Sequence, residues 1–446
     1  MSLRKQLRAE FLRFYLGSHY TAIRRALAET GRRIARQPHT VHAFLQLDDP
    51  YSYLLGHYLP QLAAGFDVRL DVRLAQRLGD QYTPQPAMLA EYAVQDCRLI
   101  ARELDLPFLD RGTAPVVEQR RALLDTLTRE YLSGNFPQLL RQALAAYWRG
   151  DSEAAARLAG RHGDGDPATT ALLEANRDLL ARLGHYNCAT LYYGGEWYWG
   201  IDRLHYLVER LEGLGALRDA GAARGLASIR QAMRLNLPGA VPDRARTLPP
   251  LEYFHSFRSP YSYLALPRAF RIADAFGLKL VVRPVLPMVM RGLPVPKAKL
   301  RYIAMDAKRE ADRLGIPFGR IADPLGRGVE RCIATFYYAR EEHREREFLL
   351  AAGSAIWSEG IDVGTDEGLR AVTERAGLFW PGVKSALAET DWREACDANR
   401  EDMTNAGVWG VPVFRIGELA LWGQDRDWLV ARQIEDLCHG GEGILI

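Results

Sequence analysis

Apolar and polar positions along the chain switch repeatedly between two periods. Residues 251–257, Leu-Glu-Tyr-Phe-His-Ser-Phe, read as a strand. From Leu264 to Phe270 the apolar residues recur at helical spacing. Between the two runs lie Ser259 and Pro260. Serine is a preferred helix N-cap, and proline suits the first turn, where its missing N–H would be unpaired anyway. Ser259 is therefore expected at a strand-to-helix junction, its hydroxyl beside free backbone donors at the positive end of a helix dipole.

The same pattern occurs earlier. Residues 41–47, Val-His-Ala-Phe-Leu-Gln-Leu, read as a strand, and Asp49-Pro50-Tyr51-Ser52-Tyr53-Leu54 follows. The two stretches are offset by 260 − 50 = 210 positions, and that offset holds without a gap for about sixty residues, 18 of them identical. Phe66 answers Phe276, Val72-Arg73 answers Val282-Arg283, and Pro107-Phe108 answers Pro317-Phe318. A second block repeats at offset 223: Gly184, Trp199, Gly200, Asp202 and Arg203 answer Gly407, Trp422, Gly423, Asp425 and Arg426. An internal duplication fixes the expected architecture. Each copy runs strand, helix, strand (68–74; 278–285), a long helical stretch, two short strands and a last helix. The fold class expected is α/β, with two tandem domains, each carrying a helical insertion at about 86–180 or 296–405. The boundaries expected are a helical arm at 1–36, a first copy at 37–212, a linker with one helix at 213–250, and a second copy at 251–446.

Composition narrows the picture. The chain is 48% hydrophobic and 25% charged, with a net charge of +3, too small to imply a nucleic-acid partner. Its five cysteines, Cys97, Cys188, Cys332, Cys396 and Cys438, form no C-x-x-C pair and no metal-type cluster, so dithiol redox chemistry and a metal site are not expected. A short Arg-broken N-terminal run argues against a signal peptide, and no stretch approaches ~20 apolar residues. A cytoplasmic protein with no membrane partner is the expectation. The basic, helix-periodic arm suits either a membrane surface or the protein body, and Gly17-Ser18 favours the body.

Three motifs stand in order in the second copy: Ser259-Pro260-Tyr261-Ser262-Tyr263-Leu264, Gly410-Val411-Pro412-Val413-Phe414 and Trp422-Gly423-Gln424-Asp425-Arg426. Together they resemble the DsbA-like branch of the thioredoxin superfamily that lacks redox cysteines, and within it the 2-hydroxychromene-2-carboxylate isomerase and kappa-class glutathione transferase family. The resemblance spans roughly 250 to 440 and implies that the tandem α/β domains are thioredoxin-like (DsbA-like). It implies a cis proline at Pro412, glutathione as cofactor, Ser259 as the catalytic residue facing its sulfur, Val411 and Pro412 pairing with its cysteinyl unit, and Gln424 and Asp425 at its γ-glutamyl end. Asp425 as a simple helix cap is the competing reading. Tyr261, Trp409 and Trp422 are candidates for an aromatic substrate pocket, and Lys297, Lys299 and Arg301 for a substrate carboxylate. The family's acidic residue three positions before the serine is Ser256 here.

The first copy has Asp49 in place of Ser259 and Ala189 in place of Pro412. Aspartate caps a helix as well as serine does but repels a second anion. The first copy thus keeps the residues of the fold and loses those of the site. The resemblance implies a glutathione-dependent isomerase or transferase acting on a small conjugated or aromatic electrophile. The alternative is a non-catalytic thioredoxin-fold protein that binds thiols or peptides. Family members pair as two-fold dimers, so the duplicated chain is expected to be a monomer with an internal pseudo-dimer.

Overall fold

A computed structural model describes residues 3–109, 117–159 and 166–440. The chain divides into two compact bodies, residues 24–234 and residues 1–23 with 235–446. The first is called here the N-terminal body and the second the C-terminal body.

The N-terminal body is built on a four-stranded sheet of β1 (Thr40–Leu45), β2 (Arg69–Leu74), β3 (Thr190–Tyr193) and β4 (Glu196–Trp199), in the order β2-β1-β3-β4. β1 and β2 are parallel with Val41 opposite Leu70; β1 and β3 are antiparallel with Ala43 opposite Leu191. A parallel neighbour needs a crossover, and a helical segment supplies it. Val41, Ala43, Phe44 and Leu45 are all buried to within 1% of full burial, as a sheet covered on both faces requires. Among the described residues, five helices run between β2 and β3, from Pro86–Glu103 to Pro167–Leu183.

The C-terminal body repeats this arrangement. Its sheet contains β5 (Leu251–His255), β6 (Leu280–Pro284), β7 (Val413–Ile416) and β8 (Leu419–Trp422), in the order β6-β5-β7-β8. Leu251 stands opposite Leu280, Tyr253 opposite Phe414 and Val413 opposite Trp422. Each is the N-terminal pairing displaced by 210 or 223 positions. The polar ties agree as well. Tyr51 donates to Asp96 at 2.8 Å and Tyr261 to Asp306 at 2.8 Å. Asn176 donates to the Leu74 carbonyl and Asn399 to that of Pro284, both at 2.9 Å. Phe108 stacks on Trp148 as Phe318 stacks on Trp357.

The bodies differ in the helix after their first strand. In the C-terminal body it is one helix, Pro260–Phe276, continuous through Pro267 and closed by Gly277 at φ +66. In the N-terminal body it breaks into Pro50–Gly56 and Leu59–Gly65. Pro60 has no N–H to continue the ladder, and its ring opposes the carbonyl four residues back, that of Gly56. The helix foreseen in the connection between copies runs Ala220–Ala232, starting where Asp219 accepts from Gly221 and Ala222. It belongs to the N-terminal body: a Cβ on Gly65 would meet Ala223 at 3.0 Å. Among the described residues no helix is long and apolar enough to cross a membrane.

Candidate functional site

Ser259 caps the helix Pro260–Phe276 as its type and position predict. Its backbone is extended (φ −99, ψ 114), and its Oγ accepts from the Ser262 N–H at 3.1 Å. The same Oγ donates to the Val411 carbonyl at 3.4 Å. The Val411–Pro412 peptide bond is cis. The Pro412 carbonyl then accepts from the Gly423 N–H at 3.0 Å. This hydrogen-bonded chain brings all three sequence motifs to one end of the sheet. Ser259 and Val411 remain half-buried. Among the described residues the Val411 N–H meets no acceptor.

The aromatic candidates separate. Trp409 and Trp422 pack edge to face with ring centroids 4.6 Å apart. Gly410 permits this, because a Cβ there would lie 2.4 Å from Trp422 Cζ2. Tyr261 instead turns its hydroxyl to Asp306. Of the three basic residues proposed for a substrate carboxylate, Lys297 and Arg301 are exposed. Lys299 is the enclosed one, and burial lowers its ammonium to about 8. Ser256 is buried with its Oγ unpartnered among the described residues.

At the turn after β8, Gln424 and Asp425 differ. The Gln424 amide is fully engaged: its Oε1 accepts from Arg268 at 2.6 Å and its Nε2 donates to Glu310 at 2.9 Å. Its carbonyl also accepts from Arg268, at 2.5 Å. The Gln424 side chain is therefore a buried strut, and only its N–H remains for a ligand. Asp425 is partly exposed, with Arg426 at 3.5 Å. The last helix begins after both, at Asp427. Asp427 accepts from the Trp428 N–H and pairs with Arg268 at 3.0 Å, while burial raises its carboxyl above the ordinary range.

Sequence reasoning missed Arg268, Glu310 and Asp427. The signal for Arg268 was present: a charged residue inside the stripe Leu264, Ala265, Leu266, Ala269 and Phe270, all buried. It also missed Arg291. That side chain donates to the Trp409 carbonyl at 2.7 Å, and burial with the nearby Arg400 lowers it to about 10.

The N-terminal body places Asp49 at the corresponding cap, where it accepts from the Tyr51 N–H at 3.3 Å and from Ser52 Oγ at 2.7 Å. Enclosure raises its carboxyl to about 6. Opposite lie Cys188 and Ala189, the latter in the left-handed region at φ +55. Burial, with Asp49 and Asp48 nearby, pushes the Cys188 thiol well up. All five cysteines are buried and free of disulfides, and no metal-type cluster occurs among the described residues.

Residues 250–435 match the family model of the DSBA-like thioredoxin domain. The 2-hydroxychromene-2-carboxylate isomerase of Pseudomonas putida is 27% identical over 201 residues, which are 42% of this chain and 96% of that protein. The isomerase of the same name from Sphingobium xenophagum is 26% identical over 188 residues, 40% of this chain and 93% of its own. A solved structure of a 2-hydroxychromene-2-carboxylate isomerase is 26% identical, with a TM-score of 0.37, covering 43% of this chain and 96% of its own. With the sheet order, the helical insertion and the three motifs gathered at one end of the sheet, residues 250–435 form a DsbA-like thioredoxin domain.

Proposed function

We propose that the C-terminal body is a glutathione-dependent isomerase or transferase acting on a small conjugated or aromatic electrophile. The observation that carries this reading is the Ser259 hydroxyl, held at a helix N-terminus and 3.4 Å from the Val411 carbonyl. The residues fit an extended thiol peptide. Val411 offers an open N–H and a carbonyl bonded only by a side chain, which is how an edge receives an added strand. Asp425 is a partly exposed carboxylate at the far end of the same hydrogen-bonded chain, suited to an ammonium group. When bound, glutathione would supply the sulfur nucleophile.

The chain's own residues do the rest. Ser259 turns its O–H from Val411 to the incoming sulfur, and the helix N-terminus favours negative charge there by about 1 kcal/mol. That stabilisation corresponds to roughly one pKa unit of the thiol. Among the described residues no carboxylate is bonded to Ser259, in contrast to the carboxylate that Asp49 itself would set against an anion. Trp422, braced edge to face by the buried Trp409, offers a partly exposed aromatic ring to a planar substrate. The N-terminal body reads as a degenerate copy of the same domain and the full chain as a monomer, so light scattering should give the mass of one chain, 50.2 kDa.

Calorimetric titration with glutathione and with its S-methyl derivative tests the reading. Glutathione should bind once per chain and raise the melting temperature by mass action, and the S-methyl derivative, whose sulfur cannot ionise, should bind more weakly. No heat and no thermal shift at millimolar glutathione would remove the proposed cofactor.

A further inference from the structure

Four side chains that meet beneath the turn 423–426 are charged or polar and almost wholly buried: Arg268 at 5% exposure, Glu310 at 1%, Gln424 at 2% and Asp427 at 5%. Arg268 holds the Gln424 carbonyl, the Gln424 Oε1 and the Asp427 carboxylate; Gln424 in turn donates to Glu310, which also meets Arg313 at 2.9 Å. At offsets 210 and 223 the N-terminal body has Tyr58, Ile100, Ile201 and Leu204 in these places, all buried. One body thus builds with an ion network what the other builds with apolar core. A buried ion network is often replaceable by apolar residues of similar volume without loss of stability, so the fold alone does not call for it.

The backbone above the network differs accordingly. In the N-terminal body Gly200 sits at φ +66 and residues Ile201–Arg203 form a 3-10 turn leading directly into the helix Leu204–Gly213. In the C-terminal body Gly423 sits at φ +130, residues 424–426 are not helical, and the helix starts only at Asp427. The turn that carries Asp425 has a different shape exactly where its support has different chemistry. A Cβ on Gly423 would lie 2.7 Å from Asp425 Oδ1, so this carboxylate folds back over its own turn.

We infer that Arg268, with Glu310, Gln424 and Asp427, is a positioning network that sets the conformation of the 423–426 turn for ligand binding and is dispensable for the fold. The ligand part rests on the reading that Asp425 receives the amino end of a thiol peptide. Arg268 touches neither sulfur nor substrate; it acts through the main chain of Gln424.

The test transplants the apolar set into the full chain as R268Y/E310I/Q424I/D427L, alongside R268K. Three quantities are read: cooperative thermal unfolding, the glutathione dissociation constant, and the Gly423 amide resonance in glycine-labelled protein. The swapped chain should unfold cooperatively, shift the Gly423 amide, and bind glutathione at least tenfold more weakly, while R268K recovers part of the binding. A swapped chain that binds like wild type, or that leaves the Gly423 amide unmoved, overturns the inference. So does a swapped chain that fails to fold while R268K folds, because the network would then be structural. If wild type does not bind glutathione but the swap moves the Gly423 amide, the proposed cofactor is what fails, and control of the turn stands.

Discussion

The two bodies place the same cap at the same corner of the same sheet and give it opposite chemistry. In the C-terminal body the cap is a hydroxyl, Ser259, half-buried and within reach of the Val411 carbonyl. In the N-terminal body it is a carboxylate, Asp49, whose lone pairs are taken by Ser52 and Tyr51. Either residue satisfies a helix N-terminus. Only the hydroxyl can donate a hydrogen bond to an anion while the helix dipole adds its own attraction. The helix needs an oxygen at this position; the choice between neutral and charged oxygen decides what the site can hold.

The difference extends below the site, and the largest expected effect lies there. Arg268→Met leaves the buried Asp427 without its cation and Gln424 without its tether, and removing one member of such a network costs about 3–5 kcal/mol. The corresponding Tyr58→Leu in the N-terminal body only shortens an apolar contact and should cost less, about 1–3 kcal/mol. Denaturant unfolding of the two variants reads both numbers. Equal losses would mean that the two supports are energetically alike.

Next comes the cap itself. Ser259→Ala should lower thiol-dependent kcat/KM by about 100-fold, the usual consequence of removing one donor from a developing or held anion. The stability loss from the missing cap should stay near 1 kcal/mol. Steady-state kinetics with thermal unfolding separates the two. A variant that loses stability but keeps activity would reduce Ser259 to a cap and make the two corners equivalent.

A smaller effect comes from Asp49. Its carboxyl is raised from an ordinary value near 3.8 to about 6, chiefly by burial and against the pull of its Ser52 and Tyr51 hydrogen bonds. The folded chain therefore holds the proton more tightly than the unfolded chain. Stability from this group is fully present below about pH 4 and is lost as pH rises through about 6. The full shift corresponds to at most about 3 kcal/mol, and to on the order of 2 after allowance for the solvent that Asp49 still meets. Asp49→Asn keeps a cap oxygen and removes the titration. Its melting temperature should match wild type near pH 4 and exceed it near pH 7. Parallel curves for the two chains would show that Asp49 is not strained by its charge.

Much of this comparison is visible in the residues before any coordinates. That the two sheets share one order and one register follows from two constant offsets, because a slipped strand would turn its buried face to solvent. The gathering of Ser259, Val411 and Pro412 is what the family resemblance implies; their spacing in the chain does not show it. The fate of side chains is harder to read. Gln424 stands in a motif and reads as a ligand, yet Arg268 and Glu310, 156 and 114 positions away, consume its amide. Arg268 shows only as one charge in an apolar stripe, and its partners lie on two other helices or their approaches. The break at Pro60 and the continuity through Pro267 are a further case, since both prolines stand in similar helical runs.

The smallest expected effect is no effect at all. Asp49→Ser gives the N-terminal body the same cap as the C-terminal body, and if the cap alone made the site, two glutathiones would bind per chain. One should bind. Opposite the new serine the chain still has Cys188 and Ala189, with Ala189 at φ +55, so the strand edge that Val411 offers has no counterpart of the same shape. Cys188 keeps a buried thiol, which ionises poorly and offers no charge to a ligand. The positions matching the ion network are still the buried Tyr58, Ile100, Ile201 and Leu204, and Asp202 still rides on a 3-10 turn instead of the open turn of Asp425. Restoring one oxygen leaves each of these in place. Calorimetric stoichiometry decides the matter: one glutathione per chain in both proteins supports a site made by the whole corner, whereas two in the Asp49→Ser chain would mean that a single side chain separates the bodies.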